Sequence, residues 1–467
     1  MVGYLDGKPQ RNDSVQLLLE GIVPPSNPTL ASFDIQRAEL HNEVSSYLGL
    51  TPGGVNLRQS LVDLPLEAVD NMTQALLRTR DQGGRIFFMG NGGSHDNARA
   101  LAYMCRRLGL DSKTPGREDD YPAVTLQSGY EQIFVDGLRA DQAGANDLVI
   151  GISGSGNSAN IVNGLEEAKR LGAQAFCLGG RDGGKMSKVC GSANSVVVKN
   201  SCMEAIEDLH LLAGIVSLRQ VATGSPVGKA HASVIADFDA VVTAQNLPSF
   251  VDVTEGVLKT IENGSRVLIL GTSIGANHVS ADWERGATNR LPIRGVSAPM
   301  MFSQNAAMAT LNDDGHFSLA HGLVKKDPTE KDYAIVFDVL TPSREISAAR
   351  EVLQDSNTPF TQIGGAHGIN LTAFPKSEQD LFPALVGHLV SASLREVLGR
   401  RFGVRPIEVS VSFQEGDKKL GRQETLDFER DLRTKGKLDS DRVIVFNYGQ
   451  VFSAADPARF GMKRVFY

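Results

Sequence analysis

The sequence is poor in several features that would each point to a definite class of protein. Cysteine occurs four times, at Cys105, Cys177, Cys190 and Cys202, and never as a C-x-x-C pair. This scarcity argues against a disulfide framework or a zinc knuckle and favours a reducing cytoplasm. No uncharged apolar run reaches the roughly 18–20 residues of a membrane span. The amino terminus also lacks the basic-then-apolar order of a signal peptide, so we expect a cytoplasmic protein without membrane contact.

Positive charge is scarce as well. The chain of 467 residues has a net charge of -7 and lacks the clustered Lys/Arg face that is typical of nucleic-acid binding. An acidic chain repels anionic substrates, so a bound phosphate would have to be held by local backbone and side-chain donors. Apolar residues make up 41% of the chain and charged residues 22%, which predicts a folded core.

Strand and helix patterns alternate along most of the chain, and the same order of elements occurs twice. Apolar runs at 85–89 and 147–152 have counterparts at 265–271 and 332–338, an offset of roughly 180 residues that indicates a duplicated domain. The alternation predicts parallel sheets with helices on both faces. The run at 123–126 is a further candidate for a buried strand. The predicted units are a helical lead-in at 1–60, α/β domains at 61–225 and 226–402, and an extension of unassigned role at 403–467.

Two loops rich in glycine and serine stand where a predicted strand meets a predicted helix. They are Gly90-Asn91-Gly92-Gly93-Ser94 and Gly151-Ile152-Ser153-Gly154-Ser155-Gly156-Asn157-Ser158. Glycines let backbone N–H groups approach an anion, and a helix N-terminus adds partial positive charge. Each loop alone could be a tight turn with a serine cap. Because ligands of open parallel sheets bind beyond the carboxyl ends of strands, both loops together favour one phosphate monoester site.

Neither loop matches the common nucleotide-binding signatures. Both lack the GK[ST] ending of a P-loop, and no strand-end acid follows at the distance that a dinucleotide fold requires. The stretches GNGGSHDNARALA, DLVIGISGSGNSANIVNGLEEAKRLGA and GRDGGKM instead resemble the sugar isomerase (SIS) domain, in its phosphoheptose isomerase branch. The likeness is close over 64–220 and weaker over 250–402.

The resemblance implies a tandem of three-layer α/β/α, flavodoxin-like domains with parallel sheets. It also implies an enzyme that interconverts a phosphorylated aldose and ketose through an enediol. The substrate that the resemblance implies first is sedoheptulose 7-phosphate. The residues that it assigns to substrate and phosphate binding in the first half are Asn91, Gly92, Gly93, Ser94, Ser153, Gly154, Ser155, Asn157 and Ser158.

The first half departs from the family in its acid–base residues. Family members carry a His and a Glu on the helix after the first loop, and Ala100 and Met104 occupy those places. The last helix of the family carries a Gln and a His, where this chain has Glu207 and Ile215, with His210 between them. By resemblance, the first half alone binds phosphate without a complete acid–base set.

The second half shows the reverse pattern. Its phosphate loops are lost, yet Asp313 lies in an Asn-Asp loop like that of the family. Asp380 and His388 occupy the family's Gln and His positions, and Glu284 lies one residue before its Glu position. Family active sites lie at subunit interfaces, so we expect that duplication divided one site between the halves, with Asp313 and Asp380 contributing to binding.

Isomerisation through an enediol needs a base for the carbon-bound proton and an acid or donor for the carbonyl oxygen. His388 is the first candidate for one role and Glu207 or Glu284 for the other, with His210 as a further candidate. The alternatives stay open: Glu284 could lie on a solvated helix face, Glu207 and the neighbouring Asp208 in a charged surface turn, and both histidines in the core. A loop position explains His278 without a role.

The sequence therefore predicts a phosphosugar isomerase as its first hypothesis. A non-catalytic sugar-phosphate sensor is the alternative, and a phosphosugar lyase or etherase is a third possibility. The metal-type ligand set of the family is incomplete in both halves, so neither a metal nor another cofactor is expected. The expected partner is the phosphorylated sugar, without nucleic acid or membrane, and a tandem chain is expected to pair as a homodimer.

Overall fold

The computed structural model describes residues 34–402, apart from 119–120, 244, 263–264, 272–274, 277, 280–318, 326, 340–342, 366–367 and 380–381. It also describes short antiparallel strands at Tyr4–Leu5, Lys8–Pro9, Arg405–Ile407, Val443–Asn447 and Gln450–Ala454. Within this part of the chain the predicted α/β class with parallel sheets is confirmed.

The larger sheet has five parallel strands. They are β1 (Ile86–Met89), β2 (Ser112–Lys113), β3 (Leu148–Ser153), β4 (Gln174–Gly180) and β5 (Ser195–Val198). Their spatial order is β2-β1-β3-β4-β5, so β1 and β3 are neighbours and end side by side, with Met89 opposite Gly151. Side chains of β1 and β3 alternate between the two faces of the sheet, and both faces are covered, which is why these two strands are apolar runs in the sequence.

Helices cover both faces of this sheet. The helices of the first half are α1 (Arg37–Leu48), α2 (Leu57–Val62), α3 (Leu66–Asp81), α4 (Gly93–Arg107), α5 (Tyr121–Ser128), α6 (Ile133–Ala140), α7 (Ala159–Arg170), α8 (Gly184–Cys190), α9 (Met203–Thr223) and α10 (Val227–Val241). Apolar residues of α6, α7 and α8, among them Phe134, Ile161 and Met186, cover one face. Those of α3, α4 and α9 cover the other.

The strand prediction for 123–126 is wrong, because this run lies inside the helix α5. Four apolar residues are too few to separate a strand from a helix by periodicity. Pro122 stands in the first turn of α5, where proline is compatible with a helix. Leu126 is 80% exposed, so the run does not supply a buried strand face.

Within the described residues, the second half repeats the parallel α/β architecture with three strands. Its strands are β6 (Val267–Leu270), β7 (Tyr333–Asp338) and β8 (Phe360–Gly364), all parallel, in the order β8-β7-β6. Its helices are α11 (Leu247–Glu262), α12 (Leu319–Lys325), α13 (Ser343–Asp355), α14 (Lys376–Gln379) and α15 (Phe382–Phe402). None of the helices in the described part of the chain combines the length and apolar character of a membrane span.

One apolar core runs between the two sheets. It joins one face of β1 and β3 to one face of β6 and β7 through buried side chains of α1, α9 and α15. The helix α1 packs against both α15 and α11. The long helices α9 and α15, one from each half, are therefore in direct contact, and polar groups on them can form a single site.

Candidate functional site

The two glycine- and serine-rich loops lie next to each other. They follow β1 and β3 at the carboxyl end of the larger sheet. A reciprocal pair of amide hydrogen bonds joins them: Asn91 Nδ2 donates to Asn160 Oδ1 over 2.9 Å, and Asn160 Nδ2 donates to Asn91 Oδ1 over 2.8 Å. Asn160 lies in the first turn of α7 and is buried. These bonds tie the first loop to the start of the helix that follows the second loop.

Three serine hydroxyls converge in the second loop. Ser153 Oγ lies 3.0 Å from Ser158 Oγ and 3.4 Å from Ser155 Oγ. The Asn157 backbone N–H donates to Ser155 Oγ over 3.2 Å, and Asn157 Nδ2 donates to the Ser155 carbonyl over 2.9 Å. Hydroxyl groups can rotate to donate to an anion, so this turn presents a compact set of neutral donors.

The loop between β4 and α8 supports the serine turn from behind. Gly156 has a φ of 66°, and a Cβ added there would lie 2.2 Å from the Gly183 carbonyl oxygen. The Met186 N–H donates to the Gly156 carbonyl over 3.0 Å, and the Lys185 N–H donates to Asn157 Oδ1 over 3.1 Å. Only glycine allows the two backbones to approach this closely.

The helix α9 brings a carboxylate to the first loop. Glu207 is 1% exposed, and a Cβ added at Gly93 would lie 2.6 Å from Glu207 Oε2. Asn97, on α4, donates its side-chain amide to the Glu207 carbonyl over 2.9 Å. The glycine at position 93 therefore makes room for a buried carboxylate beside the N-terminus of α4.

His388 reaches the same place from α15. Its Nδ1 lies 2.6 Å from Asp208 Oδ1, and its Nε2 lies 3.3 Å from Glu207 Oε2. The Tyr47 hydroxyl donates to Asp208 Oδ2 over 2.6 Å. Burial, reinforced by the Asp208 charge, holds the pKa of Tyr47 well above its usual value, so Tyr47 stays a donor. Asp208 and His388 are only 3% and 2% exposed, which gives a buried polar cluster assembled from both halves.

Part of the chain is similar to a known protein family. Residues 55–180 match the family model described as SIS domain. A phosphoheptose isomerase of Helicobacter pylori (strain Shi470) is 34% identical over 163 residues, which are 33% of this chain and 83% of that protein. A phosphoheptose isomerase of Aliarcobacter butzleri is 35% identical over 163 residues, covering 32% of this chain and 82% of that protein. The chain belongs to the SIS domain family.

Several solved structures are also similar to this chain. Phosphoheptose isomerase GmhA of Neisseria gonorrhoeae is 24% identical with a TM-score of 0.34, covering 36% of this chain and 91% of that one. Tagatose-6-phosphate ketose/aldose isomerase of Escherichia coli is 13% identical with a TM-score of 0.45, covering 78% of this chain and 95% of that one.

The structure brings together some of the predicted site residues of this SIS protein. Glu207 and His388 are in contact, and Glu207 lies against Gly93 of the first loop. His210 is buried apart from this cluster, and neither of its ring nitrogens bonds to a side chain of the described residues. Predicted residues that lie outside the described part of the chain are Glu284, Asp313 and Asp380.

Five residues near the site were missed, or were given an alternative interpretation that the structure excludes. The surface-turn alternative for Glu207 and Asp208 is wrong, because both are buried. The loop interpretation of His278 is also wrong: it is helical, 2% exposed, and its ring meets that of His388 edge-on with centroids 4.9 Å apart. Tyr47 and Asn160 carry no motif signal. Only their positions in the fold reveal them.

Proposed function

We propose that the protein is an aldose–ketose isomerase of a phosphorylated sugar, with a seven-carbon ketose phosphate as the first candidate substrate. The observation that carries the proposal is the contact of Glu207 with both Gly93 and His388. Because of this contact, a buried carboxylate and a buried imidazole lie beside the loops that are suited to binding a phosphate. The names of phosphoheptose isomerases that are similar to this chain support the same substrate class. Cytoplasmic location and a homodimer of tandem chains stay predictions.

The loops would bind the phosphate end of the sugar. Ser153, Ser155 and Ser158 offer hydroxyls within one turn. Ser94 stands in the first turn of α4, where the helix N-terminus adds partial positive charge. A phosphate there leaves the carbon chain beside the Glu207 carboxylate. Neutral donors and backbone N–H groups suit a dianion in a chain whose net charge is negative.

The polar cluster would carry out the proton transfers. Conversion of a ketose to an aldose moves one proton from C1 to C2 and another from the C1 oxygen to the C2 oxygen, through an enediol. We assign the carbon-bound proton to Glu207 and the oxygen-bound proton to His388. Asp208 accepts a hydrogen bond from His388 Nδ1. This bond orients the imidazole ring so that its Nε2 faces Glu207. Tyr47 in turn positions Asp208, so neither of these two needs to contact the sugar.

A non-catalytic sugar-phosphate sensor is the second candidate. It is favoured by Ala100 and Met104, which are buried apolar residues on α4. By the family resemblance a His and a Glu would stand at these positions. A sensor needs the phosphate loops but not the Glu207–His388 pair.

Deuterium exchange would test the isomerase. We would incubate the protein with five- to eight-carbon ketose phosphates in deuterium oxide and follow deuterium at C2 of the aldose by NMR. We expect exchange on one substrate class, and a loss of about 100-fold or more in His388→Gln, which removes an acid–base group. His231→Gln is the matched control, because His231 is buried and bonds to the Leu61 carbonyl away from the site.

The outcomes separate the two candidates. Broadening of substrate resonances without exchange across the whole panel would favour the sensor. Exchange at the wild-type rate in His388→Gln would keep the isomerase but remove His388 from the chemistry. Ser153→Ala combined with Ser155→Ala should mainly raise KM, since these hydroxyls are assigned to binding and not to proton transfer.

A further inference from the structure

Two of the four cysteines lie side by side behind the serine turn. Cys177 is in β4, and Cys190 is the last residue of α8. The chain runs about 10 Å forward from Cys177 to the end of β4 and about 9 Å back along α8, so the two residues come to the same level. Both are free thiols. We propose that they form a modification site, a thiol pair that an oxidant converts to a disulfide, and that this disulfide loosens the serine turn.

The contacts of Cys177 place its sulfur beside the end of α8. Cys177 is fully buried, and its thiol donates to Ser195 Oγ over 3.2 Å. The Ser195 hydroxyl in turn donates over 2.7 Å to the carbonyl of Gly191, the residue that follows Cys190. Cys190 is half-buried and packs against the apolar cluster that contains Cys177. Because α8 packs along β4, the two thiols face each other.

The two thiols are also hydrogen-bonded to each other. This bond from Cys190 is the main reason that the pKa of Cys177 is lowered in spite of burial, and Ser195 adds to the effect. The same bond, together with burial, raises the pKa of Cys190, and the nearby charge of Lys169 opposes the rise. The thiolate is the reactive form of cysteine. Cys177 is therefore the thiol that more readily becomes a thiolate, and Cys190 is the one that an oxidant can reach.

Oxidation by hydrogen peroxide would proceed in two steps. Cys190, once it has lost its proton, attacks a peroxide oxygen; the O–O bond breaks, and Cys190 becomes a sulfenic acid while one water is released. The Cys177 sulfur then attacks the sulfenic sulfur, so that the S–O bond breaks, the S–S bond forms and a second water is released. The thiol pair loses two electrons, which reduce the peroxide, and the proton of each thiol ends in a water molecule. In a reducing compartment such a disulfide is transient and serves to sense oxidants.

The helix α8 connects this thiol pair to the serine turn. From its first turn, the Met186 N–H donates to the Gly156 carbonyl over 3.0 Å, and the Lys185 N–H donates to Asn157 Oδ1 over 3.1 Å. An S–S bond of about 2.0 Å is far shorter than a noncovalent contact of two sulfurs, so the disulfide would pull the end of α8 toward β4. The helix has only seven residues, and the shift should therefore reach its first turn. The effect on phosphate, though not the disulfide, rests on the proposed function.

Disulfide formation can be measured without any sugar. The full-length protein would be reduced, freed of reductant, treated with hydrogen peroxide while folded, and then unfolded for thiol titration and peptide mapping. We expect the free thiols to fall from the four of the sequence by one pair, and mapping to join Cys177 to Cys190. Cys190→Ser should keep all its remaining thiols. Cys105→Ala, which removes a buried thiol on α4, is the matched control and should lose the same pair as the wild type.

The effect on the serine turn has two readouts. Hydrogen–deuterium exchange of the backbone amides at 153–160 should be faster in the oxidised protein than in the reduced one, and a thiol reductant should reverse the change. Titration with inorganic phosphate should show binding that is weaker by about 10-fold after oxidation, the effect of losing one supporting hydrogen bond. Peroxide should cause neither change in Cys190→Ser.

Each result decides the proposal. Wild-type protein that forms no disulfide between Cys177 and Cys190 would overturn it, and so would a disulfide that leaves both amide exchange and phosphate binding unchanged. If Cys190→Ser fails to fold, peptide mapping and amide exchange of the wild type decide alone. A disulfide with faster amide exchange, in a protein that binds no phosphate even when reduced, would keep the thiol switch and remove the proposed phosphate site. Isomerisation by a protein that forms no such disulfide would do the opposite.

Discussion

His210 stands three residues after Glu207 on α9, yet its environment differs completely. Its side chain is fully buried, and burial lowers the pKa of His210 to about 4, with the backbone of Gly179 opposing part of the shift. In an unfolded chain the histidine side chain has a pKa of about 6.5. Between about pH 6.5 and 4 the unfolded chain therefore binds a proton that the folded chain does not. The contribution of neutral His210 to the free energy of unfolding should be fully present above pH 6.5. It should fall by on the order of 3 kcal/mol as the pH drops to about 4.

Urea denaturation of the wild type and of His210→Leu at pH values from 8 to 4 would measure this effect. The variant cannot take up the extra proton, so its free energy of unfolding should decrease less across the window. Both proteins should show the same trend above pH 7. Equal slopes in the two proteins between pH 6.5 and 4 would show that other groups cause the acid sensitivity. Such a result would return His210 to the list of candidate acid–base groups.

At the scale of elements, the turns that hold the phosphate loops depend on backbone contacts that only glycine permits. Gly156 and Gly83 have nearly equal φ values, 66° and 67°. An added Cβ meets the Gly183 carbonyl at 2.2 Å in the first case and nothing within 4 Å in the second. Gly83→Ala thus isolates the conformational cost, about 1 kcal/mol. Gly156→Ala should be more destabilising by about 2 kcal/mol and should also weaken phosphate binding, because the serine turn must move.

Thermal unfolding and a phosphate titration of both variants would test this expectation. The comparison is meaningful because the two substitutions impose the same backbone strain at different places in the fold. Similar melting temperatures for Gly156→Ala and Gly83→Ala would mean that the loops between β3 and α7 and between β4 and α8 can separate without cost. Unchanged phosphate affinity in Gly156→Ala would mean that the serine turn does not depend on this contact.

At the scale of the whole molecule, the family resemblance leads us to expect one site divided between the halves, but the sequence does not predict the contacts by which the halves meet. The two loops and the central strands β1 and β3 are local patterns, so apolar runs ending in glycine and serine are enough to find them. The short polar strand β2 has no such pattern, and the apolar run at 123–126 is helical. The contact between Asp208 and His388 joins residues 180 positions apart, and no local pattern encodes it. For the same reason Asp208 could pass for a surface residue, and Tyr47, in the segment predicted as a lead-in, gave no signal of its contact with Asp208.

The meeting of the halves is also fixed by a buried ion pair. Arg219 of α9 donates from Nε to Glu378 of α14 over 3.0 Å, and also pairs with Asp237 of α10 over 2.6 Å. The side chains of Arg219 and Glu378 are 11% and 8% exposed. Burial raises the pKa of Glu378 even though Arg219 opposes the shift. Desolvation therefore outweighs the attraction, and the carboxylate is tolerated only because the guanidinium is present.

The two members of this pair should consequently respond differently to substitution. Arg219→Met leaves a buried carboxylate without its cation, and should cost about 3–5 kcal/mol at neutral pH. Lower pH should reduce the loss, because a protonated Glu378 carries no charge. Glu378→Gln leaves Arg219 paired with Asp237, and should cost about 1 kcal/mol. Arg80→Met, which breaks an exposed pair with Asp81, should change the free energy of unfolding by less than about 1 kcal/mol.

Urea denaturation at pH 7 and pH 5, together with deuterium exchange on the ketose phosphate, would measure both consequences. Glu378 stands just before α15, which carries His388. Loosening of α14 in Arg219→Met should therefore slow exchange even at urea concentrations at which the protein stays folded. Equal losses of stability in Arg219→Met and Glu378→Gln would contradict the desolvation argument. Full exchange activity in a destabilised Arg219→Met would show that the position of His388 is set by α1 and α9 and not by this ion pair.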